Sequence, residues 1–134
     1  MNHRLLQIAE RPDAPFWRLE YDALSEPQKV FRVIWELEAE VNNGGFLQYL
    51  ENSSGQLAAH AAEALRAIGA NVMADVVAGA DACSPDDGVR AAAVAALPPD
   101  RRESLDALDR AFLGYPENLT VLLHAHVALH PGDF

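Results

Sequence analysis

The sequence predicts an all-α fold, a single-domain compact bundle of about six to eight short helices. Three observations carry that expectation. Apolar residues recur at three- and four-residue spacing along most of the 134 residues, as on helices with one face in a core. Alanine is abundant and strand-like alternation is absent. Gly, Asn and Pro fall where helices end, at Asn42-Asn43-Gly44-Gly45, at Gly69 and at Pro98-Pro99. The length suits one domain spanning 1–134, and an apolar half argues against disorder.

Residues 2–11 predict a short amphipathic helix that Pro12 ends, followed by a turn at Asp13-Ala14-Pro15. Phe16, Trp17, Leu19, Tyr21 and Leu24 form a dense aromatic and aliphatic segment, read as helical over 16–24 and as core, with an exposed patch as the alternative. Ser25-Glu26-Pro27-Gln28 is a helix start: serine caps, Gln28 reaches back, and proline sits in the first turn. From there a helix over 26–43 places Ile34, Leu37 and Val41 within about 40° of Val30, with Phe31 and Trp35 widening the face. Glu36 and Glu40 project on the far side. Glu38 falls at about 80°, between Ile34 and Phe31, and reads as partly buried.

After the glycine turn a second, shorter helix carries Phe46, Tyr49 and Leu50 inward and Gln48, Glu51 and Asn52 outward. Residues 56–68 predict a helix with Leu57, Ala61, Ala64, Leu65 and Ile68 on one face and Gly69 as its stop. Asn71 is the expected cap of a helix over 72–83 with Val72, Met73, Val76 and Cys83 inward. Ser84 to Gly88 is a loop, Val89–Leu97 a short alanine-rich helix, and Asp100 opens a helix to about 113. In that helix Leu105, Leu108 and Phe112 face inward and Asp109 lies about 40° from Leu105. Arg102 and Asp106 are spaced to pair. Gly114-Tyr115-Pro116 turns the chain into a last helix with Leu119, Leu122, Leu123, Val127 and Leu129 inward.

The chain carries 10 basic and 20 acidic residues. Residues 1–32 are neutral overall, residues 33–89 hold nine acids against Arg66 alone, and residues 90–134 hold six acids and four bases. Such a field repels nucleic acid and membranes and attracts basic proteins. One cysteine excludes an internal disulfide and fits a reducing cytosol. The first residues lack the apolar core of a signal peptide, and no apolar run reaches the roughly 20 residues of a membrane helix. A cytoplasmic protein is expected, with no membrane and no direct nucleic-acid partner.

The tightest constellation is Glu36-Leu37-Glu38-Ala39-Glu40-Val41-Asn42-Asn43-Gly44-Gly45-Phe46, running on through Gln48, Tyr49 and Asn52 to Gly55. Asn and Gly tolerate the left-handed backbone that ends a helix, so two helices meet here at a fixed corner. The pattern NGGF-x-Q-Y-x-x-N-x-x-G resembles the signature of a family of small acidic all-helical proteins that includes a bacterial DNA mimic. The resemblance runs over about 17–134. It implies this fold, and further implies a protein that occupies the DNA-binding surface of a transcription factor or another basic DNA-binding protein. It leaves a homodimer open. The motif residues, with Glu38 and Asp109, read as structural.

No nucleophile–base pair, nucleotide fingerprint or metal quartet is assembled by spacing, so neither enzyme activity nor a cofactor is expected. Gly44-Gly45 lacks the lysine of a phosphate loop. His126 and His130 have metal-ligand spacing, and His60 with Glu63 the spacing of half a site; packing histidines and a surface pair are the simpler readings, and no metal is expected. Cys83 reads as a small buried apolar residue. Glu38 is expected to accept hydrogen bonds from a helix start or from the amides of Gly44–Phe46. Its alternative is a general base in a cleft.

The leading expectation is therefore a non-enzymatic acidic binding protein. Glu36, Glu40, Glu51, Glu63, Asp75, Asp81, Asp86 and Asp87 are the candidate partner-binding acids, chosen from the charge count. Glu36 and Glu40 lie roughly 5–6 Å apart at Cβ, comparable to successive phosphates on one strand. The alternative is an interaction or immunity-type module whose partner does not bind DNA, using the aromatic segment 16–35 or the Asn43–Asn52 corner.

Overall fold

In a computed structural model of the chain, the described residues are 3–10, 19–52, 55–83 and 97–134, without the side chains of 3, 4, 52 and 55–58. They form six α-helices and no strand: α1 (His3–Glu10), α2 (Glu26–Asn52), α3 (Gly55–Ala67), α4 (Asn71–Ala82), α5 (Pro99–Leu113) and α6 (Leu119–Leu129). Short 3₁₀ turns lie at Tyr21–Ala23 and Pro131–Asp133. The long helix α2 packs against α3, α5 and α6. Helix α4 bridges α3 and α5, and α1 lies on α6. Among the described residues no helix is long and apolar enough to cross a membrane.

Local capping explains several boundaries. At the start of α2 the Gln28 amide donates to Ser25 Oγ at 3.3 Å, and the Ser25 amide donates to Gln28 Oε1 at 3.0 Å. This reciprocal pair satisfies two otherwise orphaned donors. Helix α3 ends at Gly69, φ +85°: the Ala70 amide reaches Leu65 O at 2.9 Å and the Gly69 amide reaches Arg66 O at 3.0 Å. Those two bonds define a Schellman ending, which needs the left-handed residue. At α6 the Asn118 side chain accepts from the Val121 amide at 3.1 Å.

The core is a continuous apolar cluster. Phe31, Ile34, Leu37 and Val41 of α2 are buried with Phe46, Tyr49 and Leu50 beyond its kink. Ala61, Ala64 and Leu65 from α3 meet Met73, Ala74, Val77 and Ala80 from α4, and Leu105 and Phe112 close the far side. Phe46 stands edge-on to both Tyr49 and Phe112, at ring-centroid distances of 5.7 and 5.6 Å. Burying each such ring contributes about 1.5–3 kcal/mol.

Some predicted faces are shifted. Val72 is 52 % exposed, and α4 instead buries Met73, Ala74, Val77 and Ala80. A helix with alanines on both sides of its valines reads ambiguously, because Ala is buried wherever a neighbouring helix comes close. Leu129 is 76 % exposed for the same want of a partner at the end of α6. Residues 19–24 form a bend and a 3₁₀ turn, with Leu24 buried and Leu19 exposed. Arg102 points Nε toward Leu97 O at 3.4 Å, and no Arg102–Asp106 ion pair occurs among the described residues. Phe16, Trp17, the 84–88 loop and the 89–96 part of the predicted alanine-rich helix lie outside the described residues.

Candidate functional site

The glycine corner is built by residues that close on one another. Helix α2 runs through it with two non-helical residues, Gly44 (φ −149°, ψ 17°) and Gly45 (φ 70°, ψ −171°). The Phe46 amide opens the second arm and donates to Asp109 Oδ1 at 2.7 Å. A Cβ on Gly45 would stand 2.6 Å from Asp109 Oδ2, so glycine is required both by its φ and by the carboxylate against it. Gln48 folds back over Gly44: its Nε2 donates to Glu40 Oε2 and its Oε1 accepts from Asn43 Nδ2, each at 2.9 Å. The Tyr49 ring is buried and its hydroxyl donates to Asp81 Oδ1 at 3.0 Å. Asn52 closes α2 and Gly55 opens α3.

Asp109, not Glu38, meets the corner's amide. Both carboxylates lie near the core, but α5 brings Asp109 across from the far side of the corner. Glu38 sits about two turns before Phe46 on α2 and accepts from the Tyr115 hydroxyl at 3.2 Å. Burial is the main cause that pushes both carboxyls above the usual range, opposed by the Tyr115 hydroxyl at Glu38 and by the Phe46 amide at Asp109. Helix α4 is likewise capped from a distance. Asn71 makes no side-chain cap; instead the Glu117 carboxylate accepts from the Val72 amide at 3.1 Å and the Met73 amide at 2.8 Å. A carboxylate on a helix N-terminus is favoured by the exposed amides and the helix dipole.

The eight candidate acids occupy varied settings. Glu36 pairs with Arg32 at 3.2 Å and Asp75 with Arg66 at 2.7 Å. Glu40 is held by Gln48, and Asp81 takes the Tyr49 hydroxyl. Glu51 is exposed. Glu63 is exposed, with His60 Nδ1 at 3.5 Å. Asp86 and Asp87 lie outside the described residues. Exposed surface pairs of this kind are weak and screened by salt.

Glu63 has acidic company that the charge count did not single out. It lines an open groove of about 480 Å³ together with Asp22 and Glu26, which come from the part of the sequence that is neutral overall. Lys29 is the one lysine or arginine among the groove's described residues; its Nζ bonds Glu26 at 3.1 Å and lies 5.1 Å from the Tyr21 ring centroid. His60 stacks on Tyr21 at 4.8 Å. His126 is buried at the groove's edge with Nε2 3.0 Å from Pro27 O. A carbonyl only accepts, so Nε2 carries the proton. Burial is the main cause that lowers the His126 pKa, which favours the neutral ring. Its neighbour His130 lies at 4.9 Å. Among the described residues no group of three or more His, Cys, Asp or Glu is placed to hold a metal ion.

Against known proteins, no curated protein and no solved structure matches the chain. A family model described as DMP19-like protein matches residues 22–130, from the 3₁₀ turn before α2 through the last helix. That span contains the glycine corner, its Asp109 partner and the Glu117 cap, and the chain belongs to the DMP19-like protein family.

Proposed function

We propose that this chain is a non-enzymatic acidic binding protein that occupies the DNA-binding surface of a basic DNA-binding protein. The observation that carries the reading is the gathering of Asp22, Glu26 and Glu63 along one open groove, on a chain of net charge −10, with Lys29 the one lysine or arginine among the groove's described residues. Proteins that bind duplex DNA present basic surfaces to about one negative charge per 1.7 Å of axis. A helical scaffold that holds carboxylates in place offers such a surface a rigid substitute. Family membership and the resemblance of the corner motif to that of a DNA mimic support the same reading.

The test is capture of host proteins on the immobilised chain at low salt, followed by a salt gradient and by competition with duplex DNA. A basic DNA-binding protein should be retained at about 0.05 M salt, released by about 0.5 M, and displaced by the duplex. An Asp22→Asn, Glu63→Gln double variant should retain less of it. Retention that is indifferent to both salt and DNA would overturn the reading. It would favour a partner that does not bind DNA, for which exposed Val121 and Leu129 on α6 offer an apolar contact.

A further inference from the structure

A second cavity, of about 410 Å³, lies between α1, α2 and α6 and is separate from the acidic groove. Its walls are apolar, from Leu5, Trp35 and Leu123, and its polar groups come from Glu38, Asn42, Tyr115 and Thr120. That size and that make-up, a mostly apolar hollow with a few placed polar atoms, match small-molecule sites of roughly 300–1,000 Å³. The backbone is unusual at the same place: Tyr115 holds φ +46°, a left-handed conformation that a bulky residue adopts at a cost. That conformation sets the Tyr115 hydroxyl against Glu38, half a bundle away on α2.

The hydrogen bonds fix what the cavity offers. Asn42 Nδ2 donates to Glu38 O at 2.8 Å and to the Tyr115 hydroxyl at 2.9 Å. A backbone carbonyl can only accept, so the amide orientation is settled and both of its N–H groups are used. The Tyr115 hydrogen goes to Glu38 Oε2. Among the described residues no donor is directed at Glu38 Oε1 or at Asn42 Oδ1, and none of the cavity's lining residues is basic. The polar end of the cavity thus offers two open acceptors, Glu38 Oε1 and Asn42 Oδ1, beside an indole, with the Thr120 hydroxyl also in the lining. Trp35 stacks one ring face on Phe31, at 5.6 Å and 9°, which holds the indole in place along the wall.

We propose that this cavity binds a small organic ammonium ion with an apolar body. The ammonium would donate to Glu38 Oε1 and Asn42 Oδ1, and the body would lie among Leu5, Trp35 and Leu123. An acceptor pair rejects an anion by repulsion and gives a neutral alcohol only one weak donor to bind. An ammonium supplies three donors and the charge that a half-buried carboxylate lacks. Trp35 adds the attraction of an aromatic ring for a nearby cation.

The experiment uses the full chain, with binding followed by assigned NMR spectra and titration calorimetry. Phenethylammonium is the probe, 2-phenylethanol its neutral counterpart and 3-phenylpropionate its anionic one. Phenethylammonium should saturate and shift the Trp35 indole and Tyr115 resonances. The alcohol should bind about tenfold more weakly or less, and the carboxylate not at all. Glu38→Gln keeps an acceptor for Tyr115 and should remove the preference for ammonium over alcohol. Ala39→Phe, at an exposed helical position on the cavity's rim, should block all three ligands while the thermal unfolding midpoint stays near that of the parent. Equal affinity for ammonium and alcohol would overturn the proposal. So would an ammonium preference that survives Glu38→Gln, or no saturation by phenethylammonium up to about 10 mM.

Discussion

Asp109 accepts the Phe46 amide at 2.7 Å across 63 positions of sequence, and its other oxygen occupies the space where a side chain on Gly45 would have to go. One carboxylate therefore caps the second arm of α2 and enforces the glycine beside it. The corner that the motif describes is completed from another helix.

Removing that carboxylate uncaps the arm. Asp109→Ala should lower stability by about 1–2 kcal/mol, the usual range for a lost helix cap, measured by urea unfolding. Asp109→Asn retains an acceptor oxygen and should lose less than half as much. Equal losses in the two variants would mean that the charge, not the hydrogen bond, carries the contribution.

Two left-handed glycines separate backbone strain from crowding. Gly69, φ +85°, has nothing within 4 Å of an added Cβ, whereas Gly45, φ +70°, has Asp109 there. Gly69→Ala should cost about 1–2 kcal/mol, the left-handed penalty alone. Gly45→Ala should cost that and the displaced cap besides, about 2–4 kcal/mol in total. Combining Gly45→Ala with Asp109→Ala should be markedly less than additive, because the second change removes the obstruction met by the first. Simple additivity of the two losses would show that the carboxylate and the glycine act independently.

Glu38 gives a pH dependence of definite sign. Its folded pKa is raised, chiefly by burial, above the ordinary value of 4.5. The folded state then holds the proton more tightly than the unfolded chain. The stability contributed by this group is fully present below 4.5 and is lost as pH rises through the folded value. Glu38→Gln mimics the protonated acid and can still accept from Tyr115. Its melting temperature at pH 7 should equal or exceed that of the parent. Its stability should also vary less over the window just above pH 4.5. Asp109, raised in the same direction, keeps part of the slope in place. A large drop in melting temperature at neutral pH would show that the ionised carboxylate is the stabilising form.

The parts of this fold legible in the sequence are those whose causes are local. Ser25 and Gln28, and Gly69, act within five residues of themselves, and each marks its helix end as residue type and spacing predict. Angular spacing also places both Glu38 and Asp109 toward the interior. It carries no information on which helix lies opposite, so it leaves Glu38 between a helix start and the corner's amides, and cannot show that Asp109 takes the Phe46 amide. Glu117 on α4 and Tyr49 on Asp81 are likewise pairings of 44–45 and 32 residues that no local pattern encodes. The acidic groove was hidden for another reason. Counting charge by segment balances Asp22 and Glu26 against arginines elsewhere in the chain, while the fold sets those two acids beside Glu63.

Two helix starts in this molecule are finished by residues that the ribosome makes much later. The Phe46 amide waits 63 residues for Asp109, and the Val72 and Met73 amides wait 45 and 44 for Glu117. At about 5–20 residues per second, that is roughly 2–13 s of synthesis during which both helices fray at one end. The helices α2, α3 and α4 can therefore take up their apolar packing as they emerge, and the closing segment ties down two helix starts when it arrives.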